Sequence, residues 1–107
     1  MMLFLVFTFI YFSYSKQRYG IMIDAGSSGT RAHIFTWKST KGMPNVQPAS
    51  NGTHPFLHKV KIPLAKSAQD MSLIETIFKP IIIYASQKIP SSYLEKTRIY
   101  VYATAGM

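Results

Sequence analysis

A chain of 107 residues has the length of about one small domain, too short for two lobes with a cleft between them. Lys and Arg outnumber Asp and Glu by 12 to 4, for a net charge of +8, which suits anionic partners such as phosphate compounds or a membrane surface. The cations are scattered singly and form no basic run, which argues against nucleic-acid binding; the absence of cysteine excludes disulfides, zinc–cysteine sites and thiol catalysis.

Met1–Tyr14 carries no charged side chain and is dense in Phe, Leu, Ile and Tyr. It is shorter than the run of about 18–20 apolar residues that spans a bilayer, and it lacks the charged start and small-residue cleavage site of a signal peptide. A signal-anchor, a signal sequence or the end of a transmembrane helix are the readings that place residues 1–15 in a membrane; a buried strand or helix is the alternative. Lys16 and Arg18 follow, on what the positive-inside rule makes the cytoplasmic side, in tension with a lumenal domain downstream.

Tyr19–Ile23 is a near-continuous apolar run, the pattern of a strand buried on both faces. It ends in Asp24-Ala25-Gly26-Ser27-Ser28-Gly29-Thr30-Arg31. An acid at a strand end, then small residues, then a cation suits phosphate. Gly26 and Gly29 let backbone N–H groups approach and surround an anion, and Ser27, Ser28 and Thr30 add hydroxyl donors. Asp24 suits a divalent cation held directly or through water. The plainer reading is a Gly/Ser hairpin turn. Arg31–Trp37 favours a strand, and the short connection predicts an antiparallel hairpin.

Lys38–Pro55, with its Gly, Pro and Asn residues, reads as a long loop, and Asn51-Gly52-Thr53 within it is an N-glycosylation sequon with Asn51 as acceptor. Phe56–Ile62 alternates, placing Leu57, Lys59 and Lys61 outward on an edge strand. Ser72 and Glu75 form a capping-box pattern, and Ile74, Ile77, Phe78, Ile81 and Ala85 recur at helical spacing, with Pro80 expected to kink or divide the helix before it ends near Lys88. Arg98–Ala103 is a further strand running into Thr104-Ala105-Gly106-Met107. His33, His54 and His58 are separated and have no metal-ligand partners in the pattern.

Three strands and a helical crossover to a fourth make the opening of an α/β, ribonuclease-H-like fold (β-β-β-α-β). The first and fourth strands can lie side by side only through the crossover, so both small-residue loops would face one site.

Residues 19–107 resemble the apyrases, the ectonucleoside triphosphate diphosphohydrolase family. Tyr19–Arg31 is similar to the family's first signature and Ala103–Met107 to its second, in the expected order and strand context. The resemblance implies part of the first lobe of a nucleoside phosphatase domain of the actin, hexokinase and heat-shock-chaperone superfamily, behind an apolar segment over 1–18. It implies release of terminal phosphate from nucleoside tri- and diphosphates with Mg2+ or Ca2+. By the same resemblance Ala25, Gly26, Ser27, Ser28, Gly29, Thr30 and Arg31 bind phosphate, Thr104, Ala105 and Gly106 lie near the terminal phosphate, and Asp24 orients metal-bound water. The water-activating glutamate belongs to a third signature that the chain does not contain, so the expectation is a truncated, inactive piece. Its localisation would be membrane-bound, with residues 19–107 lumenal in the Golgi or endoplasmic reticulum, or extracellular. Nothing in the pattern sets an oligomeric state. An exopolyphosphatase or other phosphotransferase of the superfamily, and a non-catalytic truncated membrane protein, are the competing readings.

Overall fold

The computed structural model describes residues 16–39 and 42–103. The apolar Met1–Tyr14 segment and Thr104–Met107 lie outside the described residues. Five strands form one sheet: β1 (Lys16–Gly26), β2 (Gly29–Ser39), β3 (Gln47–Pro48), β4 (Leu57–Val60) and β5 (Arg98–Ala103). Helix α1 (Ser72–Lys88) and the single turn α2 (Ser91–Leu94) connect β4 to β5.

The long hairpin is the backbone of this arrangement. β1 and β2 pair antiparallel without interruption from Lys16↔Ser39 to Gly26↔Gly29. β5 pairs parallel to β1 on the other side, from Gly20↔Arg98 to Ala25↔Ala103. Parallel neighbours need a crossover, and α1 provides it. The far edge of β2 is shared. β4 covers Thr30–His33 and β3 covers Phe35–Thr36. The two short strands meet at Ile34, whose N–H donates to the Phe56 carbonyl (3.3 Å) and whose carbonyl accepts from the Ala49 N–H (2.8 Å). The expected loop over Lys38–Pro55 therefore contains a short strand that includes Pro48. An edge position tolerates it, because proline lacks only the N–H that a central strand would need.

The core lies on one face. Ile21, Ile23, Ala32 and Ile34 of the hairpin pack against Ile77, Ile81 and Ala85 of α1 and against Ile89. Burial of β1 alternates, with Ile21, Ile23 and Ala25 inside and Met22 and Asp24 only half-buried. The apolar run Tyr19–Ile23 is thus covered by a helix on one side, not on both as its continuity suggests. β5 is exposed along its whole length; Ile99, Tyr100, Val101 and Tyr102 retain 47–55% of their accessible surface.

Of the two outcomes expected at Pro80, division of α1 does not occur, and the expected helix start is corrected. The helix runs unbroken through Pro80. The carbonyl that proline leaves without a donor belongs to Thr76, an exposed residue, so water can replace the missing bond. The capping box is also absent: Met71 is the N-cap, and no side chain caps it. Asp70 acts instead, its Oδ1 accepting from the Ser72 N–H (3.1 Å) and from the Ser72 hydroxyl (2.6 Å). A carboxylate one residue further out wins the serine hydroxyl that the box pattern would have used, and it also favours the positive helix end. Glu75 remains in the first turn.

No helix among the described residues is long and apolar enough to cross a membrane. Ile81→Ala, at a fully buried position, is expected to lower stability by about 2–5 kcal/mol in urea denaturation. Pro80→Ala is expected to raise it by roughly 1–3 kcal/mol, because the helical N–H is restored.

Candidate phosphate site

The Asp24–Arg31 segment is a hairpin tip with a two-residue turn. Ser27 and Ser28 are exposed at its apex, and Gly26 pairs with Gly29 beneath them. Neither serine has positive φ. The turn is therefore not the type I′ form that glycine pairs favour, and no glycine is required at its two central positions. Gly29 is needed for a different reason. A Cβ there would lie 2.7 Å from the Val60 carbonyl oxygen and 3.3 Å from the Lys59 Cε atom. The glycine lets β4 close on the base of the turn.

Ala25 and Thr30 form the buried floor of the tip. Ala25 is packed inside, and Thr30 has no accessible surface, its Oγ1 donating to the Ile62 carbonyl at 2.8 Å. The Thr30 hydroxyl thus ties the turn to the chain leaving β4. Ser27 and Ser28 are the hydroxyls that reach solvent.

Directly paired residues share a face of a sheet, so register identifies what surrounds the turn. Asp24 pairs with Arg31, Arg31 with Lys59, and Asp24 with Tyr102. These four side chains occupy the face away from α1. One acid and two cations there leave an excess of positive charge beside a turn with exposed hydroxyls, a suitable environment for an anion. Lys59 was read from the sequence only as an outward edge lysine. Its outward direction was visible in the alternation of Phe56–Ile62, but its pairing with Arg31 depends on strand register.

Ala103 pairs with Ala25, so β5 ends beside the turn. Thr104, Ala105 and Gly106, which follow it in sequence, are outside the described residues. Among the described residues, no three His, Cys, Asp or Glu side chains gather to form a metal cage. Asp70 caps α1, Glu75 lies in its first turn, and Glu95 lies just before β5 begins, at the end of the sheet remote from the turn. His58 stacks on Tyr84 with ring centroids 4.9 Å apart, and His54 sits in the exposed loop beside Thr53.

The sequon forms a compact tip. The Asn51 Oδ1 atom accepts from the Thr53 N–H (3.0 Å), the Thr53 hydroxyl (2.9 Å) and the His54 N–H (2.9 Å), and a Ser50–Pro55 bridge closes the segment. Asn51 is exposed there.

Residues 11–107 match the model of the GDA1/CD39 (nucleoside phosphatase) family. The chain is 32% identical over 91 residues to nucleoside-triphosphatase ntp-1 of Caenorhabditis elegans, covering 84% of this chain and 17% of that protein. It is 30% identical over 105 residues to the Golgi apyrase of Saccharomyces cerevisiae, covering 87% and 17%. It is also 29% identical over 98 residues to ectonucleoside triphosphate diphosphohydrolase 7 of Xenopus tropicalis, covering 87% and 16%. The chain thus spans about one sixth of the length of these curated relatives.

Thr30→Val should lower stability by about 1–3 kcal/mol in urea denaturation, since it leaves the Ile62 carbonyl without its donor. Ser28→Ala, at the exposed apex, should change stability by less than about 0.5 kcal/mol.

Proposed function

The chain belongs to the GDA1/CD39 (nucleoside phosphatase) family, and on that premise we propose that it supplies one phosphate-binding wall of a hydrolase that removes the terminal phosphate of nucleoside tri- and diphosphates. The observation that carries the reading is the shared register of Asp24, Arg31 and Lys59 around the Ser27-Ser28 apex, with the end of β5 alongside. Residues 19–107 would then be part of the first, ribonuclease-H-like lobe, and residues 1–18 an apolar membrane segment, with the lobe lumenal or extracellular and Asn51 a glycosylation acceptor.

In this mechanism the backbone N–H groups of Ser27 and Ser28, which lie outside the strand ladder, and the hydroxyls of the same two residues donate to phosphate oxygens. Arg31 and Lys59 balance their charge. Thr30 holds the loop in place through its bond to Ile62 and contributes by position. Thr104, Ala105 and Gly106 are assigned to the terminal phosphate. A single carboxylate fits a hydrated Mg2+ or Ca2+ that keeps its waters and takes its other ligands from phosphate, the usual manner for magnesium at nucleotide sites. When bound, such an ion would supply charge neutralisation for phosphoryl transfer. Asp24 would orient one of its waters.

The turn has one described carboxylate near it, and that carboxylate is assigned to the ion. No second acid is placed to activate the attacking water. The purified 107-residue chain is therefore expected to bind a non-hydrolysable nucleoside triphosphate in the presence of Mg2+ and to show no steady turnover. Arg31→Ala and Lys59→Ala should each weaken that binding roughly tenfold, the loss of one charge-assisted contact. Affinity in both variants unchanged from that of the unsubstituted chain, measured by titration calorimetry, would remove the phosphate assignment; continuous phosphate release would overturn the assignment of the water-activating group to residues outside this chain.

A further inference from the structure

The two asparagines of the chain have different successors. Asn45 is followed by Val46, whose branched side chain crowds the peptide nitrogen between them. Asn51 is followed by Gly52, which sits at φ +102°, and a Cβ added there would meet nothing within 4 Å. The backbone nitrogen after Asn51 is therefore unobstructed. Every residue from Ser50 to Pro55 is exposed, so water reaches the whole loop.

The hydrogen bonds of this loop converge on one atom. The Asn51 Oδ1 accepts from the Thr53 N–H, the Thr53 hydroxyl and the His54 N–H. The Thr53 oxygen lies 3.1 Å from the His54 Nδ1 atom. Its own hydrogen is committed to Asn51, so the ring nitrogen is the donor of that pair. Ring, hydroxyl and carboxamide thus form a relay in which each bond polarises the next. The Gly52 N–H donates to the Ser50 Oγ at 3.2 Å. Among the described residues, the Asn51 Nδ2 atom has no hydrogen-bond partner.

Three donors on one carbonyl oxygen are the arrangement that stabilises the negative charge of a tetrahedral intermediate. We propose that Asn51 is a site of self-modification, at which the Gly52 nitrogen attacks the Asn51 Cγ atom and expels ammonia. The N–Cγ bond forms and negative charge collects on Oδ1 beneath the three donors. The Gly52 amide proton leaves on the side of the Ser50 Oγ. The Cγ–Nδ2 bond then breaks, and Nδ2 departs with a proton in exchange, leaving a cyclic imide. Water opens either carbonyl of that ring, which puts an aspartate or an isoaspartate in place of Asn51. The only co-reactant is water. Which atom of the carboxamide is held decides the direction of the effect: a bond to Nδ2 would retain the leaving group, whereas donors to Oδ1 activate the carbon that is attacked.

The inference is independent of the nucleotide reading. It bears on the glycosylation reading, because both reactions use Nδ2. A glycan on that atom removes the free carboxamide, and a chain that has lost the atom has no acceptor. Each modified chain also carries one more negative charge against the net +8.

The test uses the full chain, made in a host without N-glycosylation and incubated in neutral buffer at physiological temperature. A tryptic peptide over residues 42–59 contains both asparagines. Mass spectrometry should show exchange of the amide for a carboxyl at Asn51 with Asn45 unchanged, and an isoaspartyl methyltransferase should label the product. Thr53→Val should slow the modification roughly tenfold, the worth of one lost hydrogen bond, and Thr53→Ser, which keeps the hydroxyl, should retain the parent rate. Unfolded in guanidinium chloride, all three chains should react at one rate, because the donors meet only in the folded loop. Equal rates in the folded parent and Thr53→Val chains would overturn the proposal. So would a difference between them that persists in guanidinium chloride, or a folded chain in which Asn51 stays intact.

Discussion

Parallel pairing between β1 and β5 is the constraint from which the rest of the arrangement follows. Two parallel neighbours cannot be joined by a turn, so the chain must leave the sheet, cross it as a helix and re-enter at the same end. That crossing carries Ile77, Ile81 and Ala85 over Ile21, Ile23 and Ile34 and creates the core. It also aligns the carboxyl ends of both strands, bringing Ala103 beside Ala25. The same pairing that buries the isoleucines therefore brings the end of β5 beside the Asp24–Arg31 turn.

The parts of this that were legible in the sequence are those encoded locally. The hairpin followed from two strand-like runs separated by small residues, the end of α1 near Lys88 from the Ile89-Pro90 beyond it, and the strand Arg98–Ala103 from its β-branched and aromatic residues. Alternation identified Lys59 as outward. Register was hidden, because it depends on which residues meet across strands far apart in sequence. That is why the association of Lys59 with Arg31 and the internal bond of Thr30 to Ile62 emerged only from the fold. The helix start failed for a different reason. Ser72 and Glu75 satisfy a pattern, but Asp70 competes for the same serine hydroxyl at shorter range. Pro80 does not divide the helix, because solvent can reach the Thr76 carbonyl that it orphans.

The sheet also separates its charges along its length. Acid and cations meet at the Ser27-Ser28 end, through Asp24, Arg31 and Lys59, while cations and aromatic rings dominate where β1 begins. A net charge of +8 spread evenly would say little about recognition. Lys16, Arg18, Lys38, Lys96 and Arg98 at one end of the sheet, and Arg31 and Lys59 at the other, give two cationic regions with different neighbours: indole and phenol rings at the first, hydroxyls and backbone at the second.

The two lateral edges of the sheet are protected unequally. Beside β2 the chain places only short strands, one containing Pro48 and the other carrying Lys59, with an interruption at Ile34. Such features discourage a stranger's strand from docking. β5 has none of them. It offers six residues of straight ladder with β-branched and aromatic side chains on both faces and Arg98 as its one charge. An edge of that composition is a template for whatever extended peptide reaches it first. Among the described residues β5 is thus the edge most open to pairing, and an added lysine in the middle of that strand would blunt it more directly than any change in the core.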